Sequence, residues 1–331
     1  MNRQSWKVVI TDCDHGDIEE EKKLFPRIGA ELVSVQVEEE EDLIRVCKDA
    51  DGILNQYSLL TRRVLEALPR CKVIARYGVG VDSIDLRAAT DLGIVVANVP
   101  DYCVDEVALQ AVTLLMALIR QTVFFDQKIK SGHWDFRQGA PIHRIRAKTM
   151  GLVGCGRIGM EVARIVSALG MRVIVFDPYI QKAGAAVELV DLDTLFKESD
   201  FISIHCPLNE STRHLIGENA FRKMRKKPLI VNTSRGPIVD ERALVEALKN
   251  GLVSGAGLDV MEKEPPDPEN PLLKMDQVIL SPHMSFYSEE SIKELKRRTA
   301  EGVADVLQGK WPQSIVNSEV RGKTRAKIAD L

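Results

Sequence analysis

One glycine-rich turn constrains the fold of this chain more than any other segment. Gly154, Gly156 and Gly159 have GxGxxG spacing, directly after the apolar run MGLV and directly before a helical pattern over residues 160–169. In such a turn the first glycine permits a tight bend, the second admits a pyrophosphate, and the third lets helix and strand pack closely. The helix start presents N–H groups and a partial positive charge to phosphates. The segment therefore predicts the strand–turn–helix unit of a dinucleotide-binding domain.

A carboxylate follows at the spacing that such a unit requires. The next apolar run, RVIVFD, ends in Asp177, eighteen residues past Gly159. An acid at this point accepts hydrogen bonds from a ribose diol. It would repel a 2′-phosphate, and the next residues, Pro178 and Tyr179, supply no cation to neutralise one. NAD(H) rather than NADP(H) is the predicted cofactor.

Apolar strand-like runs alternate with helical patterns along the whole chain. The runs are WKVVIT, DGILNQY, KVIARYG, GIVVANV, TMGLVGC, RVIVFD, DFISIHC, PLIVNTS, SGAGLDV and QVILSPH. This alternation predicts an α/β protein with two doubly wound parallel sheets, each covered by helices on both faces. A long helix over 101–121 separates the two series, and a charged amphipathic helix over 288–309 is expected to return to the first. The predicted domains are 1–100 with 286–331, which is discontinuous, and 101–285.

Two segments do not fit the alternation. Residues 122–147 lack helical periodicity and contain glycine and proline. A long, partly irregular segment inside a compact domain needs a reason, and we interpret it as an arm that packs against a second copy of the chain in a homodimer. The basic tail RGKTRAKIADL is expected to be a solvated end.

Charge and composition exclude several function classes. A net charge of −3 provides no broad positive field to attract nucleic acid or an anionic membrane. The longest apolar-rich stretch, 104–119, is too short and too polar to span a bilayer, and the N-terminal residues do not resemble a secretory signal. The six cysteines are scattered without metal-ligand spacing, which is typical of reduced thiols. We therefore expect a cytoplasmic protein without a metal, a nucleic-acid partner or a membrane partner.

Three residues beyond the glycine turn indicate the chemistry. Arg235, Glu264 and His283 each follow a strand-like run, so they are expected at one edge of a sheet. A guanidinium binds a planar carboxylate through two hydrogen bonds, and an imidazole beside a carboxylate carries a proton near neutral pH. Taken singly, the arginine and the acid resemble ordinary loop residues and the histidine a buried, hydrogen-bonded imidazole. Together they predict the reduction of a 2-oxo acid.

These segments resemble the NAD-dependent D-isomer-specific 2-hydroxyacid dehydrogenases. The similarity runs from RYGVGVDSIDLRAATDLGIVVANVP through GLVGCGRIG, HCPLNESTRHLI, VNTSRGPIVDERAL and GAGLDVMEKEP to SPHMSFYSEES. The residues after His283 are most similar to the C-terminal-binding protein branch. The resemblance implies the formate/glycerate dehydrogenase type of fold, in which two Rossmann-like domains enclose the active site in the cleft between them.

The resemblance also implies roles for the three residues and their surroundings. His283 would exchange a proton with the substrate carbonyl, Glu264 would keep its imidazole protonated, and Arg235 would bind the substrate carboxylate. Gly78 and Val79 would add backbone N–H groups to that carboxylate. Arg76 is open to two interpretations: contact with the far end of a longer oxo acid, or an ion pair between domains.

The cofactor contacts are likewise implied by the resemblance. Asp259 would lie beside the nicotinamide amide, and Cys206 would contribute its backbone. The full set of expected cofactor-binding residues is Gly154, Gly156, Arg157, Ile158, Gly159, Asp177, His205, Cys206, Pro207, Thr212, Thr233, Ser234 and Asp259.

One departure bears on the substrate. After the run DGIL, phosphoglycerate dehydrogenases carry an arginine suited to a phosphate, whereas this chain has Asn55, Gln56 and Tyr57. A phosphorylated substrate is therefore not favoured, although Arg62 or Arg63 remain candidates for reaching one.

Alternative functions remain open on these residues. The first is a metabolic dehydrogenase acting on a small 2-oxo or 2-hydroxy acid. The second is an NADH-sensing regulatory protein of the C-terminal-binding protein type, which binds protein partners. A formate or phosphite oxidiser is disfavoured because formate dehydrogenases of this fold place glutamine where Glu264 stands.

Overall fold

The computed structural model describes residues 6–181 and 187–328. The chain divides into two compact units. Unit 1 runs to Tyr102 and resumes at Ser288, and unit 2 is Cys103–Tyr287. Both boundaries lie two residues beyond the predicted ones.

Unit 1 is built on a sheet of five parallel strands in the order β2-β1-β3-β4-β5. The strands are β1 (Trp6–Ile10), β2 (Ala30–Ser34), β3 (Gly52–Asn55), β4 (Val73–Arg76) and β5 (Val95–Ala97). The helices between them are α1 (Glu19–Leu24), α2 (Glu40–Cys47), α3 (Arg62–Glu66) and α4 (Leu86–Asp91). Strand β2 was not predicted because it lies at the edge of the sheet and buries only Ala30, so its sequence is not a continuous apolar run.

Unit 2 is built on a sheet of seven parallel strands in the order β12-β11-β10-β9-β6-β7-β8. The strands are β6 (Thr149–Val153), β7 (Arg172–Phe176), β8 (Glu188–Leu189), β9 (Phe201–Ile204), β10 (Leu229–Asn232), β11 (Gly255–Leu258) and β12 (Val278–Leu280). The helices are α5 (Val104–Arg120), α6 (Thr122–Lys130), α7 (Arg157–Ala168), α8 (Leu192–Glu198), α9 (Glu218–Lys223) and α10 (Glu241–Lys249).

Helices cover both faces of the unit 2 sheet. Side chains of α5 and α7, including Leu115 and Val162, form one buried cluster against the sheet. Side chains of α8, α9 and α10, including Phe196 and Leu244, form the other. The inner strands β6, β9, β10 and β11 are buried between these layers, which explains their continuous apolar sequences.

The last helix, α11 (Glu289–Leu307), belongs to unit 1. It packs against β3, β4 and α1. A Cβ atom on Gly52 would lie 2.6 Å from Val303 Cγ1, so a glycine in β3 permits this close approach. Short 3-10 turns complete the secondary structure at Phe25–Ile28, Phe136–Gln138, Gly236–Ile238, Pro271–Lys274 and Ser318–Val320.

The basic tail RGKTRAKIADL is only partly solvated over its described residues, so the expectation of a solvated end was wrong for Arg325 and Ala326. Ala326 is 5% exposed, whereas Arg321, Gly322, Lys323 and Lys327 are exposed. Arg325 donates from Nη1 to the carbonyl of Leu68 at 2.8 Å. The tail packs on unit 1 because its small and apolar residues alternate with the cations that suggested a solvated segment.

Two features are absent from residues 6–181 and 187–328. No helix there is by itself long and apolar enough to cross a membrane, and α5 and α6 reach that length and hydropathy only as a pair bent by 58°. Within the same ranges, no group of three or more His, Cys, Asp or Glu side chains could hold a metal ion.

Candidate active site

The parallel strands of unit 2 bring their carboxyl ends to one edge of the sheet. Candidate residues follow six neighbouring strands at this edge. In sheet order from β12 to β7 they are His283, Glu264, Arg235, His205, Gly154 and Asp177. Neighbouring strands lie about 4.8 Å apart, so β7 and β10 are separated by roughly 14 Å. An extended ligand bound at Asp177 would therefore run along the edge toward Arg235.

The glycine turn has the backbone geometry that its spacing predicts. Gly154 has φ +102°, and a Cβ there would lie 2.7 Å from Cys206 N. A Cβ on Gly159 would lie 2.5 Å from Gly154 O. A Cβ on Gly156 would instead meet no described atom within 4 Å. The first and third glycines thus serve packing, while the second borders open space in which a phosphate group fits.

The start of α7 and a nearby hydroxyl also fit a dinucleotide. No side chain of the described residues caps α7 at Gly156, whereas Asp191 and Asp240 cap α8 and α10. The first N–H groups of α7 therefore remain available to phosphates. Thr233 Oγ1, after β10, is buried and has no hydrogen-bond partner within the described chain, which suits a site that a cofactor completes.

Asp177 lies at the end of β7, beside the glycine turn. Its carboxylate accepts the N–H groups of Cys155 and Tyr179, each at 2.9 Å. These two bonds fix the carboxylate next to the phosphate-binding turn, the place of a ribose-binding acid.

The loop after β9 is tied to the loop after β10. Ser234 Oγ donates to the carbonyl of Cys206 at 2.5 Å, and Thr212 Oγ1 donates to the carbonyl of Pro207 at 2.7 Å. Burial lowers the pKa of His205 to about 4, so its imidazole is neutral at pH 7 and bonds to Ser203 Oγ at 2.8 Å. Burial raises the pKa of Cys206 to about 11, which keeps it a thiol, as expected for a residue contributing its backbone.

Arg235 is positioned by its neighbours on both sides. Asn232, at the end of β10, accepts the N–H of Ser234 at 3.0 Å and donates to the carbonyl of Arg235 at 2.9 Å. A Cβ on Gly236 would lie 1.9 Å from the carbonyl oxygen of Met261. Only glycine permits this approach, which brings the arginine loop against the loop that carries Glu264.

Glu264 and His283 form a direct pair. His283 Nδ1 and Glu264 Oε2 lie 2.6 Å apart, and Met261 N–H donates to Glu264 Oε1 at 2.9 Å. Partial burial opposes ionisation of Glu264, but the hydrogen bond and charge of His283, the Met261 N–H and the charge of Arg235 outweigh it and lower its pKa. Because an ionised carboxylate can only accept, Nδ1 carries the hydrogen, and Nε2 is the ring atom that can exchange a proton with a substrate.

The turn that carries His283 is held by Asp259. This carboxylate is 2% exposed and accepts the hydroxyl of Ser281 at 2.5 Å, the N–H of Met284 at 3.1 Å and that of Ser285 at 2.9 Å. His283 N–H donates to the Asp259 carbonyl at 2.8 Å. Asp259 therefore fixes the histidine turn, and the cofactor contact expected of it stays a prediction.

In unit 1, the predicted substrate residues lie in the turn after β4. Gly78 has φ +142°, and its N–H donates to the carbonyl of Arg76 at 2.9 Å. The carbonyls of Gly78 and Val79 accept from Val99 N–H and Asn98 Nδ2. The N–H of Val79 has no acceptor among the described residues, so this donor suits the expected carboxylate contact better than that of Gly78.

A comparison with protein families identifies the family of the chain. Residues 112–285 match the family described as D-isomer specific 2-hydroxyacid dehydrogenase, NAD binding domain. The chain belongs to the D-isomer specific 2-hydroxyacid dehydrogenases. Members of this family are NAD-dependent oxidoreductases that act on the CH–OH group of 2-hydroxy acids, and NAD(H) is accordingly the cofactor of the glycine turn. The predicted fold of two parallel-sheet α/β domains is confirmed as well.

Individual relatives place this 2-hydroxyacid dehydrogenase among named enzymes. A glyoxylate reductase of Korarchaeum cryptofilum is 40% identical over 288 residues, which cover 84% of this chain and 86% of that protein. A D-3-phosphoglycerate dehydrogenase of Methanocaldococcus jannaschii is 41% identical over 316 residues, covering 94% of this chain but 59% of that protein. The chain thus spans little more than half the length of the phosphoglycerate dehydrogenase.

A solved structure has the same architecture. The D-lactate dehydrogenase of Aquifex aeolicus, complexed with NAD and lactic acid, matches with a TM-score of 0.83 and 28% identity over 94% of this chain and 99% of that chain.

Sequence reasoning missed two residues that assemble this 2-hydroxyacid dehydrogenase site and assigned a third, Asp259, only to the cofactor. Gly236 and Met261 bring the loops of Arg235 and Glu264 together, and Asp259 holds the histidine turn. Gly236 carried a readable signal, because a glycine directly after a candidate residue often marks a close backbone approach. The Met261 N–H carried none, since any residue except proline supplies a backbone donor.

Proposed function

We propose that this chain interconverts a small, unphosphorylated 2-oxo acid and the corresponding D-2-hydroxy acid with NAD(H), using His283 as the acid/base. The supporting observation is the 2.6 Å contact between His283 Nδ1 and Glu264 Oε2. This pair lies at the sheet edge that also carries the glycine turn, so proton donor and cofactor turn share one edge.

The pair determines which ring nitrogen acts. Glu264 accepts the Nδ1 hydrogen and fixes the ring orientation, so Nε2 donates its proton to the carbonyl oxygen of the 2-oxo acid. When bound, NADH supplies the hydride that adds to the carbonyl carbon. His283 then takes up a proton from water, and in the reverse direction Nε2 accepts the hydroxyl proton.

Arg235 binds the substrate carboxylate in this proposal. Its planar guanidinium matches two carboxylate oxygens and places a fixed positive charge near the oxygen that becomes negative as hydride arrives. Val79 contributes its backbone N–H group to the same carboxylate, whereas the Gly78 N–H donates to the carbonyl of Arg76 at 2.9 Å. The support in unit 1 is the turn geometry, which fixes the carbonyls of both residues and leaves the Val79 N–H without an acceptor among the described residues.

The loop after β3 argues against a phosphorylated substrate. Gln56 is 2% exposed and Tyr57 is 49% exposed, so the loop presents a phenol rather than a cation. Arg62 and Arg63 pair with Asp91 and with Glu40, which reduces their capacity to bind a phosphate. We propose that this loop and Arg76 meet the side chain of the 2-oxo acid.

A substrate panel tests the proposed function. We expect NADH consumption with glyoxylate, hydroxypyruvate, pyruvate or a longer 2-oxo acid, a product of D configuration where it is chiral, and a weaker response to 3-phosphohydroxypyruvate. No NADH consumption with any of these acids would refute the proposal and favour a regulatory, NADH-binding role.

The homodimer belongs to the same proposal. Trp134 and Phe136 in the arm are 86% and 83% exposed, an unusual exposure for large apolar side chains. A cavity of about 580 Å³ lies in unit 2, lined by α5, α6, the arm between Gln138 and His143, and residues at the starts of β9, β10 and β12. A second copy of the chain, whose exposed aromatic residues match an apolar groove, is the occupant we propose.

A cytoplasmic location is the remaining part of the proposal. All six cysteines are free, and Cys47, Cys71 and Cys103 are buried. Free thiols that form no disulfide are typical of a reducing compartment.

A further inference from the structure

The loop after β3, residues 56–58, is held by one buried carboxylate. Asp12 lies just beyond β1 and is 5% exposed. Its oxygens accept the backbone N–H groups of Gln56 at 3.1 Å, Tyr57 at 2.5 Å and Ser58 at 3.2 Å. Ser58 Oγ lies 2.8 Å from the same carboxylate and 2.6 Å from the carbonyl of Val37, the two acceptors within reach of its single hydrogen. Three consecutive N–H groups that converge on a charged acceptor fix the backbone of the loop, because such bonds are about twice as strong as neutral ones.

The fixed backbone determines where the side chains of the loop point. Gln56 turns inward, where its Oε1 accepts the N–H of Asp14 at 2.8 Å, and Tyr57 is left 49% exposed. The carbonyl of Gln56 accepts Arg76 Nε at 3.3 Å. Asp12 therefore sets the position of Tyr57 directly and that of Arg76 through the Gln56 carbonyl.

We infer that Asp12 is a positioning residue for the substrate side chain, so that it controls which 2-oxo acids bind well. The inference rests on the proposed function, in which the loop after β3 and Arg76 meet the part of the substrate beyond its carbonyl. Asp12 itself touches neither substrate nor cofactor in this account. Its removal alters selectivity between substrates rather than the chemistry at His283.

Glyoxylate provides an internal control. It bears a hydrogen where larger 2-oxo acids carry a side chain, so it makes no contact that depends on the loop after β3. A loss of stability alone would lower the amount of active enzyme, and so the rate with both acids alike, without changing either KM, whereas displacement of the loop changes the ratio of the two KM values.

A matched control residue lies at the other end of β3, away from the loop that Asp12 holds. Asp51, directly before β3, is 1% exposed and accepts Lys7 N–H at 3.0 Å, Arg70 Nη2 at 2.6 Å and Lys72 Nζ at 3.1 Å. Like Asp12 it is a buried acid with several donors, but it holds the amino-terminal edge of the sheet. Asp51→Asn therefore reproduces the loss of a buried carboxylate without touching the loop after β3.

The test compares wild type, Asp12→Asn and Asp51→Asn with two substrates, glyoxylate and the larger acid 2-oxobutyrate. The measured quantity is the selectivity ratio, in which the KM for the larger acid is divided by the KM for glyoxylate. For Asp12→Asn we expect this ratio to rise by roughly ten- to a hundredfold, as for a misplacement of about 1 Å. The NADH dissociation constant is expected to stay unchanged. For Asp51→Asn the ratio is expected to equal that of wild type.

The outcomes separate this inference from the proposed function. An unchanged KM ratio in Asp12→Asn overturns the inference, and so does an equal rise of the ratio in Asp51→Asn. In both cases the proposed function stands as long as wild type turns over the substrates. If wild type reduces neither glyoxylate nor 2-oxobutyrate, the proposed function itself is refuted. If Asp12→Asn does not fold, Ser58→Ala, which removes the Oγ contacts with Asp12 and with the carbonyl of Val37, must raise the same ratio in a smaller measure, and an unchanged ratio there overturns the inference.

Discussion

His283 occupies its position through a backbone conformation that histidine seldom adopts. Its φ is +51°, in the left-handed region, where a residue other than glycine costs on the order of 1–3 kcal/mol. The surrounding turn compensates through the hydrogen bonds that Asp259 accepts from Ser281, Met284 and Ser285. Strain of this kind is commonly found at functional sites, and here it presents the imidazole to Glu264.

The identities of the three catalytic candidates were predictable, but their arrangement was not. Arg235, Glu264 and His283 follow apolar runs, and parallel strands bring their carboxyl ends together. Two features of the arrangement depend on loop conformations: the contact of Gly236 with Met261 and the hydrogen bonds that Asp259 accepts from the histidine turn. Loop conformations produce no periodic pattern in the sequence from which they could be predicted.

The geometry of Arg235 predicts that lysine cannot replace it. In Arg235→Lys an ammonium replaces the planar two-point donor, so we expect kcat/KM for glyoxylate to fall by about a hundredfold or more, the equivalent of roughly 3 kcal/mol. Arg242→Lys, an exposed site on α10, is the matched control and should retain wild-type kinetics. Near-normal kinetics in Arg235→Lys would show that another residue binds the carboxylate.

The lowered pKa of Glu264 predicts a pH dependence of stability. The folded chain favours the ionised acid, so this stabilisation is complete above the ordinary value of 4.5 and is lost as pH falls through the lower folded value. We expect the difference in free energy of unfolding between wild type and Glu264→Gln to be constant from neutral pH to about 5 and to shrink at more acid pH. Chemical denaturation across this range measures it, and a difference that grows toward acid contradicts the assignment.

At the scale of elements, buried strands and amphipathic helices were predictable and exposed ones were not. The strands beside the glycine turn are buried on both faces, so their sequences are continuous apolar runs. Strand β8 has only two residues, and α6 buries none of its residues, so neither produces a hydrophobic pattern. The irregular arm was therefore predicted to begin about nine residues too early.

At Gly156, where the glycine turn meets α7, we expect a substitution to weaken cofactor binding without lowering stability. In Gly156→Ala the new Cβ meets no described atom within 4 Å, and φ −72° is allowed for alanine, so we expect an unchanged melting temperature. Crowding against the cofactor should weaken NADH binding by about ten- to a hundredfold, corresponding to an overpacking cost of roughly 1–3 kcal/mol.

Gly302→Ala is the control for that measurement. Its Cβ would make ordinary contacts, 3.6 Å from Ala97 Cβ, in the interior of α11. Fluorescence titration should give it a wild-type NADH dissociation constant. A wild-type affinity for NADH in Gly156→Ala would contradict the assignment of the pyrophosphate to this turn.

At the scale of the whole molecule, the chain order was informative because α11 belongs to unit 1 although it follows unit 2 in the sequence. A charged amphipathic helix beyond the last strand of unit 2 has an apolar face that needs a sheet to cover, and β3 and β4 provide it. The docked tail was not predictable in the same way, because its basic composition conceals the small residues that pack.

The proposed dimer predicts a change of mass on removal of one side chain. Light scattering at micromolar concentration should give wild type twice the chain mass of 36.9 kDa, and Trp134→Ala should shift toward the monomer. Tyr179→Ala removes an aromatic side chain of similar exposure, 82%, outside the arm and should remain a dimer. A monomeric wild type would exclude the arm as an interface.

The most direct test of the catalytic assignment is a single turnover with enzyme-bound NADH. Glyoxylate is mixed with wild type and with His283→Gln after NADH saturation has been verified for each. Loss of the proton donor predicts that His283→Gln binds NADH like wild type but oxidises it roughly 10²- to 10⁴-fold more slowly. Oxidation at the wild-type rate in His283→Gln would contradict the role of this histidine and, with it, the chemistry assigned to the edge of the unit 2 sheet.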